Sequence, residues 1–315
     1  MLNILITGGC GFIGSNLINH LLNTYDNIFI LNIDKLYNPS NINSINLKHI
    51  DDINDRYKFI PISILENDSI YSYLCHYNID IVIHCASSST IIDNSFNNSI
   101  NFSIDNYIGT HYLLEAIKKY SRLSSFIYIS NIELSNIHNL NPYSVTKAST
   151  ELLIKSYNIP YTILRLPTVF GANQSSHKLI PSFINNLLDN KKISIYGNGM
   201  NHINLIYIND VINAISIIIF NKLNGVISLH SSLYKFTIID IASMLIKQIK
   251  GDDTDIDEWI TFVDDDKRLI NDISNLDDST DLDKLKELGW NIDSNDILQK
   301  INETIDFYTS IYIDK

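Results

Sequence analysis

The sequence is poor in positive charge and in cysteine. Its 23 Lys and Arg residues stand against 35 Asp and Glu residues, which gives a net charge of −12 at pH 7. Because no dense run of Lys or Arg forms a basic stripe, a nucleic-acid partner is not expected. The three cysteines, Cys10, Cys75 and Cys85, have neither the number nor the spacing of a disulfide framework or a zinc site. We therefore predict buried thiols and no metal.

Long apolar runs and a secretory leader pattern are also missing. The longest apolar stretches, such as residues 211–220, are too short to span a bilayer. The N-terminal apolar run has no basic region before it and gives way to glycines after Thr7. We expect a soluble, cytoplasmic protein that binds no membrane. A composition of 45% hydrophobic and 18% charged residues is typical of a globular chain with a large core.

The first half of the chain alternates short apolar runs with helical patterns. Strands are predicted at 3–8, 27–34, 80–86, 125–130 and 161–171, and helices at 12–25, 103–121 and 142–157. Apolar strands that alternate with helices are typical of a parallel sheet covered on both faces. The predicted fold class is α/β, with a doubly wound parallel Rossmann sheet and a smaller C-terminal lobe.

Three glycines spaced by two residues follow the first predicted strand and open the first helix. Gly8 would allow a tight turn, Gly11 the close approach of a pyrophosphate, and Gly14 the packing of the helix on the strand. With Asp34 at the end of the second strand, they match the context of a dinucleotide fingerprint. Asp34 would accept hydrogen bonds from ribose hydroxyls and repel a 2′-phosphate, so the predicted cofactor is NAD rather than NADP. The alternative is a glycine-rich turn without a ligand.

The pattern changes after Gly171. Further helices are predicted at 178–190, 237–250 and 294–311, a late strand at 224–231, and an acidic loop at 251–259. We predict an NAD-binding domain over residues 1–172, with a returning segment near 202–231. Residues 173–201 and 232–315 are predicted to form a substrate lobe over the carboxyl edge of the sheet, where such folds bind ligands.

Tyr143 and Lys147 are spaced i, i+4 and share one face of the helix predicted at 142–157. An ammonium near a phenol stabilises the phenolate, so Tyr143 is a candidate base for a hydroxyl proton. Lys147 would also hold the nicotinamide ribose. A chain with 18 tyrosines contains such a pair by chance as well, but its position after the fourth strand–helix repeat favours a catalytic role.

The glycines, Asp34, Asn106 and the Tyr143–Lys147 pair resemble the extended short-chain dehydrogenase/reductase family. Nearly the whole chain resembles the nucleotide-sugar 4,6-dehydratases of that family. The resemblance implies a tightly held NAD and a nucleotide-diphosphate hexose that is oxidised at C4. Water then leaves across C5–C6, and hydride returns to C6.

The resemblance also implies site residues. It implies cofactor contacts from Gly8, Gly11, Phe12, Ile13, Gly14, Asp34, Lys35, Ala86, Asn106, Tyr143 and Lys147. It implies substrate contacts from Thr90, Thr168, Asn173, Lys178, Leu179 and Arg268. A homodimer built through the helices at 103–121 and 142–157 is implied as well.

The strand before Tyr143 departs from the dehydratase pattern. Dehydratases end this strand in Ser-Thr-Asp-Glu, whereas this chain has Ser130, Asn131, Ile132 and Glu133. The resemblance implies that Glu133 removes the C5 proton. Ile132 replaces the acid for the departing hydroxyl and cannot move a proton. Ser130 or Asn131 would polarise the C4 oxygen.

The substrate side departs further from the family. Thr168 stands where relatives have Asn, and on the cofactor side Ser63 stands where relatives often have an Asp that contacts adenine. Ile203 and Ser274 stand where relatives have arginines that reach the diphosphate, although Arg268 is kept. Losing such arginines removes strong charge-assisted hydrogen bonds.

Three functions follow from these patterns. The first is an NAD-dependent nucleotide-sugar enzyme of the 4,6-dehydratase type. The second is a nucleotide-sugar 4-epimerase or 4-ketoreductase, which needs Tyr143 and Lys147 but no C5 base, and which Ile132 favours. The third is a paralogue that binds NAD and has lost catalysis. The mass of the product separates the first two, and bound NAD without turnover marks the third.

Overall fold

Parallel strands form the centre of the computed structural model, which describes residues 1–36, 55–88, 98–132, 141–229, 234–264, 282–292 and 296–313. The strands are β1 (Leu2–Thr7), β2 (Ile28–Ile33), β3 (Tyr57–Ile60), β4 (Ile81–His84), β5 (Ser125–Asn131), β6 (Tyr161–Leu166), β7 (Thr168–Phe170), β8 (Ile193–Tyr196), β9 (His202–Tyr207), β10 (Gly225–Ser228), β11 (Lys235–Thr237) and β12 (Ile260–Val263).

Helices connect these strands. They are α1 (Phe12–Thr24), α2 (Asn67–His76), α3 (Ser99–Phe102), α4 (Gly109–Tyr120), α5 (Pro142–Ser156), α6 (Leu179–Leu188), α7 (Ile208–Asn221), α8 (Ile238–Lys250), α9 (Leu282–Glu287) and α10 (Ile297–Ile313). A π-helical segment at Ser103–Ile108 joins α3 to α4, and a 3₁₀ turn at Ile256–Trp259 precedes β12.

The large sheet has seven strands in the order β10-β6-β5-β4-β1-β2-β3, and every neighbouring pair is parallel. The chain runs outward from β1 in one direction and, from β4, in the other. This order confirms the predicted doubly wound Rossmann sheet. The reversal lies between β1 and β4, where the carboxyl ends of the strands form the crevice that binds ligands in such folds.

Burial on both faces explains the near-continuous apolar strands. Ile4, Leu5 and Ile6 of β1 are all fully buried. Ile4 and Ile6 pack into one core with α1 and α7, while Leu5 packs into a second core with α2 and α4. Because neighbouring residues of a strand point to opposite faces, a strand covered on both sides has to be apolar throughout.

Two predicted elements are divided in the structure. The run at 161–171 forms β6 and β7 on either side of Pro167, which has no N–H group to donate to a ladder. β7 leaves the large sheet and pairs with β9, which also pairs with β11. The helix predicted at 103–121 consists of the π-helical segment and α4. The single-element predictions were wrong at these two places.

The C-terminal segment attaches to α7 through a buried ion pair and an indole hydrogen bond. Lys300 of α10 donates to Asp210 of α7 at 3.1 Å and to the Tyr234 hydroxyl at 3.2 Å. Trp290 donates its indole N–H to the Asp210 carbonyl at 2.9 Å. Strand β10, from the segment near 202–231, joins the large sheet beside β6. The bounds of the two lobes stay a prediction.

Among the residues that the structure describes, no helix is both long enough and apolar enough to cross a bilayer.

Candidate active site

The glycine loop after β1 is packed so closely that side chains do not fit. Gly8 has φ +70°, and a Cβ there would lie 2.5 Å from the Ala86 backbone nitrogen. A Cβ on Gly14 would lie 2.5 Å from the Gly8 carbonyl oxygen. A Cβ on Gly9, which lies outside the Gly8–Gly11–Gly14 spacing, would lie 2.1 Å from Asn32 Oδ1. The loop is therefore pressed against the end of β4, the start of α1 and the side chain of a β2 residue.

Gly11 differs from these glycines. Within 4 Å, a Cβ there would meet the Gly8 carbonyl oxygen at 3.1 Å and nothing closer, so this side of the loop is open. Gly11 is also the N-cap of α1 and has no side chain to accept the first N–H groups of the helix. Phe12 and Ile13 begin the helix at this point. An open loop and unfilled N–H groups at a helix N-terminus fit the diphosphate of a dinucleotide.

Asp34 lies beside the glycine loop, as its place after β2 requires. Its carboxylate accepts from the Cys10 N–H at 3.0 Å and from the Leu36 N–H at 2.9 Å. Burial raises the pKa of Asp34 above its ordinary value, and the two backbone hydrogen bonds oppose this effect. Each carboxylate oxygen keeps a lone pair, so the group can also accept from a ribose hydroxyl.

Asn106 joins three segments at the crevice and is 1% exposed. Its side chain accepts from the Ser88 N–H at 2.7 Å and donates to the Ser88 carbonyl at 3.1 Å. It also donates to Thr146 Oγ1 at 3.1 Å, which connects it to α5. The residue lies in the π-helical segment, a distortion that often marks functional sites. Ala86 stands just before this attachment, against Gly8.

Lys35 makes an ion pair across the rim of the crevice. Its ammonium lies 2.6 Å from Asp105, the residue before Asn106 in the π-helical segment. Asp105 also accepts from the Ser88 hydroxyl. Ser63, which follows β3, accepts from the Leu65 N–H at 3.2 Å. Through Asp105, Lys35 therefore links the segment after β2 to the π-helical segment and to Ser88 after β4.

Helix α5 begins sharply because its first turn is capped. Asn141 and Ser144 bond reciprocally to each other's backbone N–H groups, and Pro142 occupies the first helical position. This start places Tyr143 in the first turn, with its ring edge-on to Phe102 at 6.1 Å. The cap thereby sets where the candidate base stands relative to α3.

Lys147 lies one turn further along α5 and is 3% exposed. Its ammonium donates to the Ile129 carbonyl at 2.6 Å and lies 4.3 Å from the centre of the Tyr128 ring. Burial lowers the pKa of Lys147 to about 7, although the negative charge of Glu151 opposes this shift. The structure thus brings Lys147 to the carboxyl end of β5, next to the crevice.

The end of β5 presents the residues that depart from the dehydratase pattern. Ser130 donates its hydroxyl hydrogen to Glu151 Oε1 at 2.7 Å, and Asn131 is half-buried. Ile132 is 3% exposed. Glu133 lies outside the described residues. Glu151 was not predicted as a site residue, although its spacing of four from Lys147 was a usable signal.

The structure describes only some of the residues predicted to contact the substrate. Thr168 begins β7, Asn173 is buried in the turn that follows, and Lys178 and Leu179 begin α6. Asn16 of α1 donates to the Ala172 carbonyl at 3.1 Å, so this turn lies beside the cofactor crevice. Ile203 lies in β9, paired with Phe236 of β11. Two predicted substrate residues, Thr90 and Arg268, lie outside the described part of the chain, as does Ser274, which stands where relatives have an arginine.

Comparison with known proteins agrees with this geometry. Residues 4–229 match the model of the NAD dependent epimerase/dehydratase family. A dTDP-D-glucose 4,6-dehydratase of Dictyostelium discoideum is 37% identical over 272 residues, or 77% of this chain. The chain spans 61% of the length of that relative.

Solved structures of a 4,6-dehydratase and of a 4-epimerase have the same fold as this chain. The dTDP-glucose 4,6-dehydratase of Bacillus anthracis, in complex with NAD, has a TM-score of 0.83 and 25% identity, and the match covers 98% of this chain and 97% of that one. The UDP-glucuronic acid 4-epimerase of Bacillus cereus, in complex with UDP-glucuronic acid and NAD, has a TM-score of 0.82 and 26% identity over 99% of this chain and 100% of that one. The chain belongs to the NAD dependent epimerase/dehydratase family.

Proposed function

We propose that this protein is an NAD-dependent enzyme that acts on a nucleotide-diphosphate hexose through a C4 ketone, as a 4,6-dehydratase. One observation carries the proposal. The buried Lys147, one turn after Tyr143 on α5, donates to the carboxyl end of β5, and only β4 separates β5 from β1 and the glycine loop that fits a dinucleotide. The likeness to a dTDP-D-glucose 4,6-dehydratase supports the dehydratase assignment.

The crevice fits NAD in three respects. The open side of Gly11 and the N-terminus of α1 would hold the diphosphate, and Asp34 would accept from the adenosine ribose. The Asp34 carboxylate would also repel the 2′-phosphate of NADP. Lys147 would hold the nicotinamide ribose. When bound, NAD supplies the hydride chemistry, since it takes hydride from the sugar and later returns it.

The chain's own residues would move the C4 hydroxyl proton. Tyr143 would remove it as a phenolate, and the Lys147 ammonium one helical turn away would stabilise that phenolate. Of the two candidates for polarising the C4 oxygen, we favour Asn131, because Ser130 donates its hydrogen to Glu151. The Asn131 amide has N–H groups suited to that role.

A 4-epimerase or 4-ketoreductase is the second candidate function. Ile132 is buried where dehydratases have the acid for the departing hydroxyl, and its side chain carries no proton to donate. An epimerase or a ketoreductase needs no such acid. The dehydratase proposal therefore depends on Glu133 as the C5 base and on loss of the hydroxyl without help from residue 132.

We also propose a homodimer through α4 and α5. Apolar side chains are exposed at intervals of four on the surface that leads from α3 into α4, namely Ile100, Ile104, Ile108 and Tyr112. Leu152 of α5 is 69% exposed. Exposed apolar side chains grouped on one surface are typical of an interaction site. Light scattering on the purified chain tests the pairing, and a Leu152→Glu variant should shift the mass towards the monomer.

Incubation with a panel of UDP-, dTDP- and GDP-hexoses tests the proposed function. The products are analysed by mass, and the cofactor is identified in the supernatant of the denatured protein. Loss of water from one substrate would support the dehydratase. A product of unchanged mass and altered configuration at C4 would support the epimerase, and a substrate reduced at a C4 ketone would support the ketoreductase. Bound NAD without turnover of any sugar would support a paralogue without catalysis.

A further inference from the structure

Helix α5 carries another ionisable residue on the face of Tyr143 and Lys147. Glu151 lies one turn after Lys147 and two turns after Tyr143, and it is 3% exposed. A carboxylate this deeply buried destabilises the fold unless it is paired and hydrogen-bonded. None of the proton transfers proposed above uses Glu151.

The partners of Glu151 come from two strands of the large sheet. Arg165 of β6 donates Nη2 to Oε2 at 2.7 Å and Nε to Oε1 at 3.0 Å, in the two-pronged geometry that favours an ionised carboxylate. Ser130 of β5 donates its hydroxyl to Oε1 at 2.7 Å. Glu151 thus fastens α5 to β5 and β6 at their carboxyl ends.

The contact between Glu151 and Ser130 lies next to the proposed catalytic groups along β5. Ser130 stands between Ile129, whose carbonyl accepts from the Lys147 ammonium at 2.6 Å, and Asn131, the proposed polarising group. A shift of Ser130 would therefore move both neighbours. The contact between Glu151 and Ser130 holds this stretch of β5 at a set distance from α5.

The charge of Glu151 also acts on Lys147. Three other titratable groups face this lysine from elements packed against α5, namely Tyr128 of β5, His84 of β4 and Cys85 after β4. Burial keeps the His84 ring neutral and the pKa of the Cys85 thiol high. Within the described residues, Glu151 is therefore the charged carboxylate that raises the pKa of Lys147.

We propose that Glu151 is a positioning residue of this site, which acts through Ser130 and Lys147 and touches neither sugar nor cofactor. It holds the end of β5 in register with α5 and keeps a negative charge beside the Lys147 ammonium. The catalytic consequence rests on the proposed function, because only an enzyme that uses Tyr143 as a base needs that ammonium. The electrostatic consequence holds without any substrate.

Direct titration of Lys147 tests the proposal. The full chain is labelled with ¹³C at the lysine Cε and kept in NAD. The resonance of Lys147 is identified by its loss in Lys147→Arg. In Glu151→Gln, which keeps a hydrogen-bonding side chain and removes the charge, the midpoint should fall by about one pH unit. Once an active sugar is known, the alkaline limb of kcat should move to lower pH by the same amount.

Two variants separate charge from structure. Glu115→Gln removes a carboxylate from α4 that accepts from the Tyr157 hydroxyl, away from Lys147, and should leave the midpoint unchanged. Glu151→Asp keeps the charge and shortens the side chain. It should lower kcat without moving the pH limb, and the Lys147 midpoint should stay at its parent value.

An unchanged Lys147 midpoint in folded Glu151→Gln would overturn the proposal. Should that variant fail to fold, Glu151→Asp decides, because a midpoint that falls although the charge is kept would also overturn it. The titration needs no sugar. If no nucleotide sugar is turned over while the midpoint moves as expected, the proposed function fails and the electrostatic role of Glu151 stands.

Discussion

The glycine loop after β1 and the C-terminal helix α10 are held in place by different kinds of contact. In the loop, backbone atoms approach backbone atoms, so that a Cβ on Gly8 or Gly14 would lie 2.5 Å from its neighbour. Helix α10 is held by side chains, with Lys300 buried between Asp210 and Tyr234. Backbone packing demands glycine at fixed positions, which a motif reveals. A side-chain pair 90 residues apart leaves no pattern in the sequence.

The largest effect is expected on turnover when the proposed base is removed, because this change should leave cofactor binding intact. Tyr143→Phe removes the proposed base and keeps the ring against Phe102. Turnover of an active sugar should fall by about a thousandfold. The NAD content of the purified protein should remain that of the parent, because the glycine loop and Asp34 are unchanged. Steady-state kinetics and cofactor analysis of the same sample measure both. A variant that turns over normally would remove Tyr143 from the mechanism.

A second prediction tests the side-chain contacts that hold α10. Lys300→Met leaves the Asp210 carboxylate buried without its ammonium, and the free energy of unfolding should fall by about 3 kcal/mol. Adding Asp210→Leu removes the orphaned carboxylate and should restore most of the loss. Urea unfolding of the parent, the single variant and the double variant measures both steps. If the single variant were as stable as the parent, the ion pair would contribute nothing to holding α10.

The third prediction concerns backbone packing in the glycine loop. A Cβ on Gly14 would lie 2.5 Å from the Gly8 carbonyl oxygen and 2.6 Å from the Gly9 Cα. Gly14→Ala should therefore destabilise the fold by about 2 kcal/mol and lower the bound NAD.

Gly197→Ala is the matched control for this prediction. Gly197 has φ +68° and nothing within 4 Å of an added Cβ, so strain alone should destabilise the variant, by about 1 kcal/mol. Its NAD content should be normal. Denaturant unfolding and cofactor content measure both variants, and equal NAD content in the two would contradict the fit to a dinucleotide.

The last prediction concerns the pH dependence of stability. His84 is fully buried, with Nδ1 2.6 Å from Thr7 Oγ1 and Nε2 2.8 Å from Thr110 Oγ1, and burial lowers the pKa of His84 to about 3. Between that value and the ordinary pKa of 6.5, the unfolded chain binds a proton that the folded chain does not. Stability should therefore fall as the pH falls below 6.5, by about 1.4 kcal/mol per pH unit.

The contribution of His84 is measured against His84→Gln, which cannot titrate. Urea unfolding of both proteins at pH 7 and pH 5 gives the difference. The parent should lose more stability than the variant over this interval. Identical losses would mean that other groups carry the acid sensitivity.

Sequence patterns within single elements were sufficient to predict much of the proposed cofactor-binding region. The alternation of strands and helices predicted the doubly wound sheet, since a strand buried on both faces must be apolar along its length. The glycine spacing predicted a loop where side chains do not fit, and Gly8 and Gly14 lie in it. Asp34 could be placed from its position at the end of β2.

Other features follow from contacts between distant segments. The π-helical segment that carries Asn106 is stabilised by bonds to Ser88 and Thr146, and its sequence resembles any other helical stretch. The departure of β7 from the large sheet depends on Pro167 and also on pairing with β9, which lies more than thirty residues away. Neither could be predicted from local patterns.

By itself, the amino-acid sequence determined the doubly wound parallel sheet, the glycine positions and the spacing of Tyr143 and Lys147. These features depend on periodicity and on backbone space within single elements. Only the tertiary structure decided that Ser130 faces Glu151, that Lys147 meets the Ile129 carbonyl, and that Lys300 meets Asp210. Buried polar groups must find partners wherever the fold brings them together, and those partners are distant in the chain.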